Sequence, residues 1–150
     1  MLQAPFRSTL RELVHCYQAF EGYASAHILQ QGLTLSQFDI LVTLGNSQGM
    51  TPKELVEKTL ITKGTLTGVV DRLLIKGLVK RTPSTLDGRS QIITLTKKGQ
   101  KQFEKVFPEH LDYMSQAFVH LQATEISHIG ESLNKLRHAF QIQKPTGEKS

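Results

Sequence analysis

Residues 51–99, TPKELVEKTLITKGTLTGVVDRLLIKGLVKRTPSTLDGRSQIITLTKKG, decide the fold of this chain. The segment opens with a capping box. Thr51 supplies a side-chain oxygen at the N-cap, Pro52 stands at the first helical position and Glu54 at the third. A helix is therefore predicted to begin here. It is expected to be short, because residues 59–62 supply a turn and a second N-cap.

The next helix of the segment combines one apolar stripe with one small, polar face. The stripe recurs at helical spacing and comprises Leu66, Val69, Val70, Leu73 and Leu74. The opposite face includes Gly68, although a glycine inside a helix costs roughly 1 kcal/mol relative to alanine. Either the helix backbone approaches another surface closely at Gly68, such as a DNA groove, or it packs tightly against a neighbouring helix. Gly77 is expected to end the helix at the C′ position.

Two strands are predicted after this helix, at 78–82 and 91–95. Pro83 cannot donate a hydrogen bond to a strand ladder, so the first strand is expected to end before it. Asp87-Gly88 favours a tight turn, and Arg89 stands beside that turn. Two short helices followed by a β-ribbon are the order that places one helix in the major groove of DNA and the ribbon beside it.

Three motifs of the segment closely resemble the multiple-antibiotic-resistance regulator (MarR) family. They are DRLLIKGLVKR at 71–81, DGRS at 87–90 and ITLTKKG at 93–99. The resemblance implies a mainly α fold with a small β-wing, that is, a winged helix-turn-helix with N- and C-terminal dimerisation helices. It also implies a homodimeric, sequence-specific transcription regulator, usually a repressor, that binds a pseudo-palindromic operator in double-stranded DNA and is released by a small ligand.

The resemblance assigns roles to individual residues of this chain. It implies that Arg89 enters the minor groove, that Asp71 pairs with Arg89 to fix the wing, and that Asp87 and Gly88 form the wing turn. An ordinary surface ion pair is the alternative for Asp71 and Arg89. The residues expected on the groove-facing part of the recognition helix are Thr62, Lys63, Thr65, Thr67 and Arg72.

Charge and composition agree with a nucleic-acid partner. The chain has 150 residues, 18 basic and 13 acidic, and a formal net charge of +5. Residues 53–105 contain 12 of the basic residues but 5 of the acidic ones, so the positive charge is concentrated in the proposed DNA-binding region. A soluble basic face without a partner would give the same count. Non-specific architectural DNA binding is a second alternative.

Several classes of protein are not expected. No apolar run approaches the ~20 residues needed to span a membrane, the N-terminus does not resemble a signal peptide, and one cysteine excludes a disulfide scaffold. A cytoplasmic protein without membrane contact is predicted. We find no nucleophile–base pair, glycine-rich phosphate loop or metal-ligand spacing, so neither an enzyme nor a cofactor or metal site is expected.

The flanking segments are predicted to be helical. A first helix at 5–31 is followed by a capping box at Thr34 and Gln37. Another helix from Thr96 to about Leu121 should be kinked or interrupted at Pro108. A last helix begins near Thr124, and its apolar positions form a narrow seam: Ile126, Ile129, Leu133, Leu136 and Phe140.

Such a seam favours a homodimer, with packing inside one chain as the alternative. The expected organisation is a single domain, 1–150. A DNA-binding lobe lies at about 34–99, dimerisation helices at about 5–31 and 100–142, and a tail at 143–150.

The sequence gives little indication of the ligand or oxidant that would regulate the protein. Relatives of this family bind small aromatic or anionic effectors, and His15, Tyr23 and His27 on the first helix are candidates to line such a pocket, with core packing as the alternative. Cys16 suggests thiol-based oxidant sensing as an alternative function. The second helix, however, opens with LTLSQF and lacks the tyrosines of the peroxide-sensing branch, so a buried, apolar role for Cys16 competes.

Overall fold

The computed structural model describes residues 4–86 and 88–143 and divides the chain into two compact units at the Tyr113–Met114 boundary. Its elements confirm the predicted mainly α fold with a small β-wing. They are α1 (Phe6–Gln30), α2 (Leu35–Gly45), α3 (Pro52–Lys58), α4 (Lys63–Ile75), β1 (Val79–Pro83), β2 (Gln91–Leu95), α5 (Lys97–Ser115), a 3₁₀ turn (Gln116–Phe118) and α6 (Ala123–Ile142).

Side chains fix the starts of α2 and α3 as the sequence predicts. In both capping boxes, Thr34 with Gln37 and Thr51 with Glu54, the threonine hydroxyl and the partner side chain each bond a backbone N–H at 3.2 Å. Thr62 occupies the N-cap of α4, but its hydroxyl contacts Thr65 Oγ1 at 3.2 Å instead of a backbone N–H. The α4 N-terminus therefore keeps backbone donors that a ligand can bind.

The wing is a two-stranded antiparallel sheet in the register Val79↔Leu95 to Pro83↔Gln91. The expectation that β1 ends before Pro83 is wrong, because Pro83 forms the last pair. Both strands of a two-stranded sheet are edge strands, and a proline is tolerated where its missing N–H faces outward. Met50 and Ile93 exchange two further backbone hydrogen bonds of 3.0 and 2.8 Å, which join β2 to the loop before α3.

The core of the first unit forms where α2, α3, α4 and the sheet meet. Four of the five stripe residues of α4 are buried and Leu74 is partly buried. At the start of α5, a Cβ on Gly99 would collide with the carbonyl oxygen of Leu78, so only glycine allows this close approach to β1. The other large buried side chains are Ile28, Leu33, Ile40, Leu41, Leu44, Leu55, Leu78 and Ile93.

Helix α5 is continuous through Pro108, so of the predicted kink or interruption the interruption is wrong and the kink stays a prediction. Phe103 and Val106 on one side of the proline and His110 on the other are all buried, and this packing stabilises the helix despite the lost backbone hydrogen bond. The helix ends at Ser115 and not near Leu121, because the 3₁₀ turn follows.

The second unit begins at Met114 and contains α6, one residue longer at its start than expected. Gln122 and Glu125 form a capping box at this start. Four of the five apolar seam residues are exposed to solvent: Ile126 (37%), Ile129 (45%), Leu133 (49%) and Phe140 (50%). None of the helices described is long and apolar enough to cross a membrane.

Candidate DNA-binding surface and effector cavity

Helix α4 presents one polar face to solvent because its other face is held in the core. Leu66, Val69, Val70 and Leu73 are buried. The five residues predicted to face the groove, Thr62, Lys63, Thr65, Thr67 and Arg72, are all exposed. The face therefore combines hydroxyl groups, which can donate to bases or phosphates, with two cations.

Gly68 lies on the same helix in open space. Among the described residues, no atom lies within 4 Å of the position that a Cβ would take at Gly68, apart from its two chain neighbours and the helix's own backbone. Tight packing against another helix of this chain therefore does not explain the glycine. Of the two explanations considered from the sequence, close approach of the α4 backbone to another surface, such as a DNA groove, remains.

The wing places a second cation-bearing element beside this helix. Arg89 and Gly88 are exposed at the turn between β1 and β2, whereas Asp87 lies outside the described residues. The prediction that Asp71 pairs with Arg89 is wrong. Asp71 Oδ1 accepts a hydrogen bond of 2.9 Å from Arg81 in β1, so the carboxylate links α4 to the wing through Arg81 and not through Arg89.

The Asp71–Arg81 pair adds little to stability. Its side chains are 51% and 37% exposed, and exposed ion pairs contribute about 0–1 kcal/mol. Its main consequence is orientation, because it connects the middle of α4 to the strand that leads into the wing turn.

Lys76 anchors the C-terminal end of α4, a role that the sequence does not reveal. Its ammonium donates to the carbonyl oxygen of Gly32 and, at 2.9 Å, to Oε1 of Gln37. Gln37 is 3% exposed and needs such partners. Lys98 donates to the Lys76 carbonyl at 2.8 Å, so the end of α4 is tied both to the α1–α2 turn and to α5.

The three residues predicted to line an effector pocket, His15, Tyr23 and His27, do not lie together in the structure. His15 is exposed on α1, whereas Tyr23 and His27 join residues of α5 that sequence reasoning missed. Tyr23 and Tyr113 stack at 4.5 Å, and each hydroxyl donates to the other's backbone carbonyl at 3.0 Å. His27 Nδ1 and His110 Nδ1 are 3.1 Å apart, which requires that one donates and the other accepts.

A cavity of about 340 Å³ lies next to this aromatic cluster, and none of the three predicted residues lines it. His110 belongs to both, since it also meets the Phe38 ring at 4.8 Å. The cavity is lined by residues of α1, α2, α5 and the α3–α4 connection: Tyr17, Phe20, Glu21, Leu35, Ser36, Phe38, Asp39, Val42, Lys58, Leu60, Ile61 and His110.

Two titratable groups of the cavity depart from their ordinary behaviour. Burial raises the pKa of Asp39, against the opposing effect of hydrogen bonding from the Leu60 backbone. Burial, and secondly the charge of His27, lower the pKa of His110. Near neutral pH the cavity therefore contains an uncharged imidazole beside a carboxyl group that burial destabilises in its ionised form.

Cys16 is exposed on α1, so the apolar, buried role considered from the sequence is wrong for the single chain. Oxidant sensing through this thiol stays a prediction. In the described parts of the chain, no three His, Cys, Asp or Glu side chains are grouped so that they could hold a metal ion.

Comparison with known proteins finds a family model that matches α4 and part of the wing. Residues 31–90, which contain α2, α3, α4, β1 and the wing turn, match the model described as the MarR family. In this region the chain is similar to the MarR family. The relatives reported below are named as transcriptional regulators or repressors.

Three curated relatives show the extent of the similarity to MarR-family sequences. The chain is 34% identical over 86 residues to an uncharacterised HTH-type transcriptional regulator of Bacillus cereus, which covers 57% of this chain and 56% of that protein. Over 87 residues it is 34% identical to the repressor YetL of Bacillus subtilis, covering 57% and 52%. The match to the B. subtilis regulator MhqR is 27% identical and longer, covering 83% and 86%. The chain thus spans about half the length of the first relatives.

Two solved structures are similar to most of the chain. A mutant MarR from E. coli, complexed with operator DNA, is 26% identical with a TM-score of 0.79, covering 89% of this chain and 99% of that one. BpsR of Bordetella bronchiseptica, whose DNA binding is regulated by 6-hydroxynicotinic acid, is 25% identical with a TM-score of 0.78, covering 87% and 98%.

Proposed function

We propose that this protein is a transcription repressor that binds a pseudo-palindromic operator as a homodimer and leaves the DNA when a small ligand binds. The main observation is the exposed polar face of α4, held on a buried stripe beside the wing. The fold shared with an operator-bound MarR and the repressor relative YetL support this function. Because the chromosome is its target, we also propose a cytoplasmic location.

In the proposed complex, α4 occupies the major groove and Arg89 the minor groove beside it. Lys63, Arg72 and Arg89 supply charges that phosphates attract, and the threonine hydroxyls reach base edges or phosphates. Gly68 lets the α4 backbone approach the groove closely. Such contacts give sequence preference in addition to the salt-dependent attraction that any basic surface has for DNA.

Apolar residues exposed on both terminal helices support the proposed homodimer. On α1, Phe6, Leu10 and Val14 are 36–61% exposed, and four of the five seam residues of α6 are exposed as well. A second copy of the chain would bury these surfaces. A twofold-symmetric dimer presents two copies of α4 to half-sites about one turn of DNA apart, ~34 Å, and therefore requires a palindromic target.

Operator selection from a random pool of duplexes, followed by gel-shift titration, tests the proposal. The selected sequence should be an inverted repeat, and light scattering should give twice the chain mass of 16.8 kDa. Arg89→Ala should weaken operator binding about tenfold, because one charge-assisted contact contributes ~1.5–3 kcal/mol. Lys135→Ala, an exposed cation on α6, should leave it unchanged.

Two outcomes would reject parts of this function. Enrichment of no sequence, with a steep salt dependence on any duplex, would indicate an architectural DNA-binding protein instead. Equal affinities for Arg89→Ala and Lys135→Ala would remove Arg89 from the interface.

A further inference from the structure

The cavity contains a carboxylate that forms no ion pair with the described part of the chain. Asp39 lies partly buried on α2 at the cavity wall. The structure of residues 4–86 and 88–143 gives it no salt-bridge partner. A partly buried carboxylate without a counterion is costly, and a positively charged ligand would offset that cost.

The other charged groups of the cavity favour a cation as well. Glu21 on α1 adds a second carboxylate, and Lys58 at the end of α3 is the single lysine among the lining residues. His110 on α5 does not act as a cation near neutral pH, because burial and His27 lower its pKa. The cavity therefore has two potential anions and one cation.

The aromatic and aliphatic side chains that line the cavity can contact the apolar part of a cationic ligand. Tyr17 and Phe20 of α1 and Phe38 of α2 surround the cavity together with aliphatic side chains. Aromatic faces attract cations, and quaternary ammonium groups are recognised by aromatic surroundings. A volume of about 340 Å³ lies within the range of small-molecule sites, which is ~300–1,000 Å³.

We propose that this cavity binds a small aromatic or aliphatic amine in its cationic form, with Asp39 as the counterion and Tyr17, Phe20 and Phe38 as the walls. The family resemblance favours anionic effectors, and the charges of this cavity favour the opposite sign. The link to DNA release rests on the proposed function, but the binding of the amine does not.

Calorimetric titration of the full chain without DNA tests the binding. The probes are benzyltrimethylammonium, benzyl alcohol and benzoate, which share one ring and differ in charge. At pH 7.5 the cation should bind about tenfold more tightly than either other probe, as electrostatic pairing with a partly buried carboxylate would give. Asp39→Asn removes the negative charge at nearly constant side-chain size and should abolish that preference.

Matched variants separate this site from general charge effects. Glu109→Gln makes the same charge change on the exposed surface of α5 and should leave cation binding within about twofold, as distant surface charges are screened. Lys58→Gln should leave cation binding unchanged or strengthen it. Tighter binding of benzoate, with loss in Lys58→Gln, would overturn the proposal, as would an Asp39→Asn variant that binds the cation like the parent.

The pH dependence gives an independent readout. The titratable groups that line the cavity are Tyr17, Glu21, Asp39, Lys58 and His110. As pH falls, Asp39 loses negative charge and His110, which faces His27, gains positive charge, so cation affinity should fall from pH 7.5 to pH 5. An affinity that rises over this interval would contradict the proposal.

The effect on DNA is measured separately with the selected operator. If the cation binds through Asp39 but the protein binds no DNA, the proposed function fails and the ligand assignment stands. If the protein binds its operator but the cation does not bind the cavity, the ligand assignment alone fails.

Discussion

Replacing Gly68 with alanine separates the stability of α4 from its proposed contact with DNA. The added methyl group meets no atom within 4 Å in the free protein, apart from the helix's own backbone, and the residue does not have a positive φ. Alanine should therefore gain most of the helix-propensity difference, about 1 kcal/mol. For a chain of this size, that gain should raise the Tm by about 2–4 °C.

Affinity for the operator should change in the opposite direction. If the groove contacts the backbone at Gly68, the methyl group overpacks a close interface at a cost of about 1–3 kcal/mol. At 1.4 kcal/mol per factor of ten, Kd should rise about 5- to 150-fold. Few substitutions are expected to stabilise a fold and weaken its function together, so this pair of signs is specific to the proposed contact.

The assay combines thermal unfolding with gel-shift titration on the selected operator. Gly22→Ala is the matched control, because Gly22 is an exposed glycine of α1 with nothing within 4 Å of its Cβ position. The control should gain stability and keep its affinity. A Gly68→Ala variant that keeps full affinity would refute the close approach to DNA, and one that loses stability would refute the open environment seen here.

Two further predictions concern the groups that fix the lobe. Because the pKa of His110 is lowered from 6.5, the unfolded chain takes up a proton at higher pH than the folded chain; the free energy of unfolding should therefore fall as pH drops below about 7, and His110→Gln should reduce that slope in denaturant titrations at pH 7.5 and 5. A slope unchanged in the variant would mean that other groups cause it. Lys76→Met removes the side-chain partner of buried Gln37 and should cost about 1–3 kcal/mol, whereas Lys80→Met on the exposed part of β1 should cost less than about 0.5 kcal/mol. Equal losses in urea titrations would show that the Lys76 network is not structural.

The helices and the wing could be predicted because their determinants are local. Capping at Thr34 and Thr51 depends on a partner three residues away, and Gly77 adopts a φ of +70° at the end of α4. The apolar stripe of α4 follows the helical period. These features can be recognised in a single sequence because short-range backbone geometry produces them.

The predictions that were wrong concern residues whose structure depends on contacts beyond their immediate sequence neighbours. Pro83 pairs in β1 because no third strand needs its N–H, and Pro108 lies inside a helix stabilised by buried neighbours. Asp71 bonds Arg81, ten residues away, although Arg89 is an equally good cation in sequence. Composition and spacing do not rank such partners, since the choice depends on how the chain folds.

The candidate cavity and the aromatic cluster beside it could not be predicted for the same reason, since both form from residues far apart in the sequence. Tyr23 and His27 are recognisable in the sequence as polar aromatic residues, but their partners His110 and Tyr113 lie more than 80 residues away. Asp39 gives no local sign of its role, because only folding encloses it. The DNA-binding residues could be proposed from a motif, whereas the residues that would select a ligand required coordinates.

The route from the cavity to the DNA surface is short. Leu60 and Ile61 line the cavity, and the next residue, Thr62, is the N-cap of α4. The Leu60 backbone opposes the rise in the pKa of Asp39 that burial causes, so the ionised carboxylate interacts favourably with the segment that leads into α4, and a cation at Asp39 would change that interaction. A ligand shifts the DNA-binding equilibrium only by its difference in affinity for the two states. Full release of the operator therefore requires that the ligand also bind the walls of the cavity more tightly in the DNA-free arrangement than in the DNA-bound one.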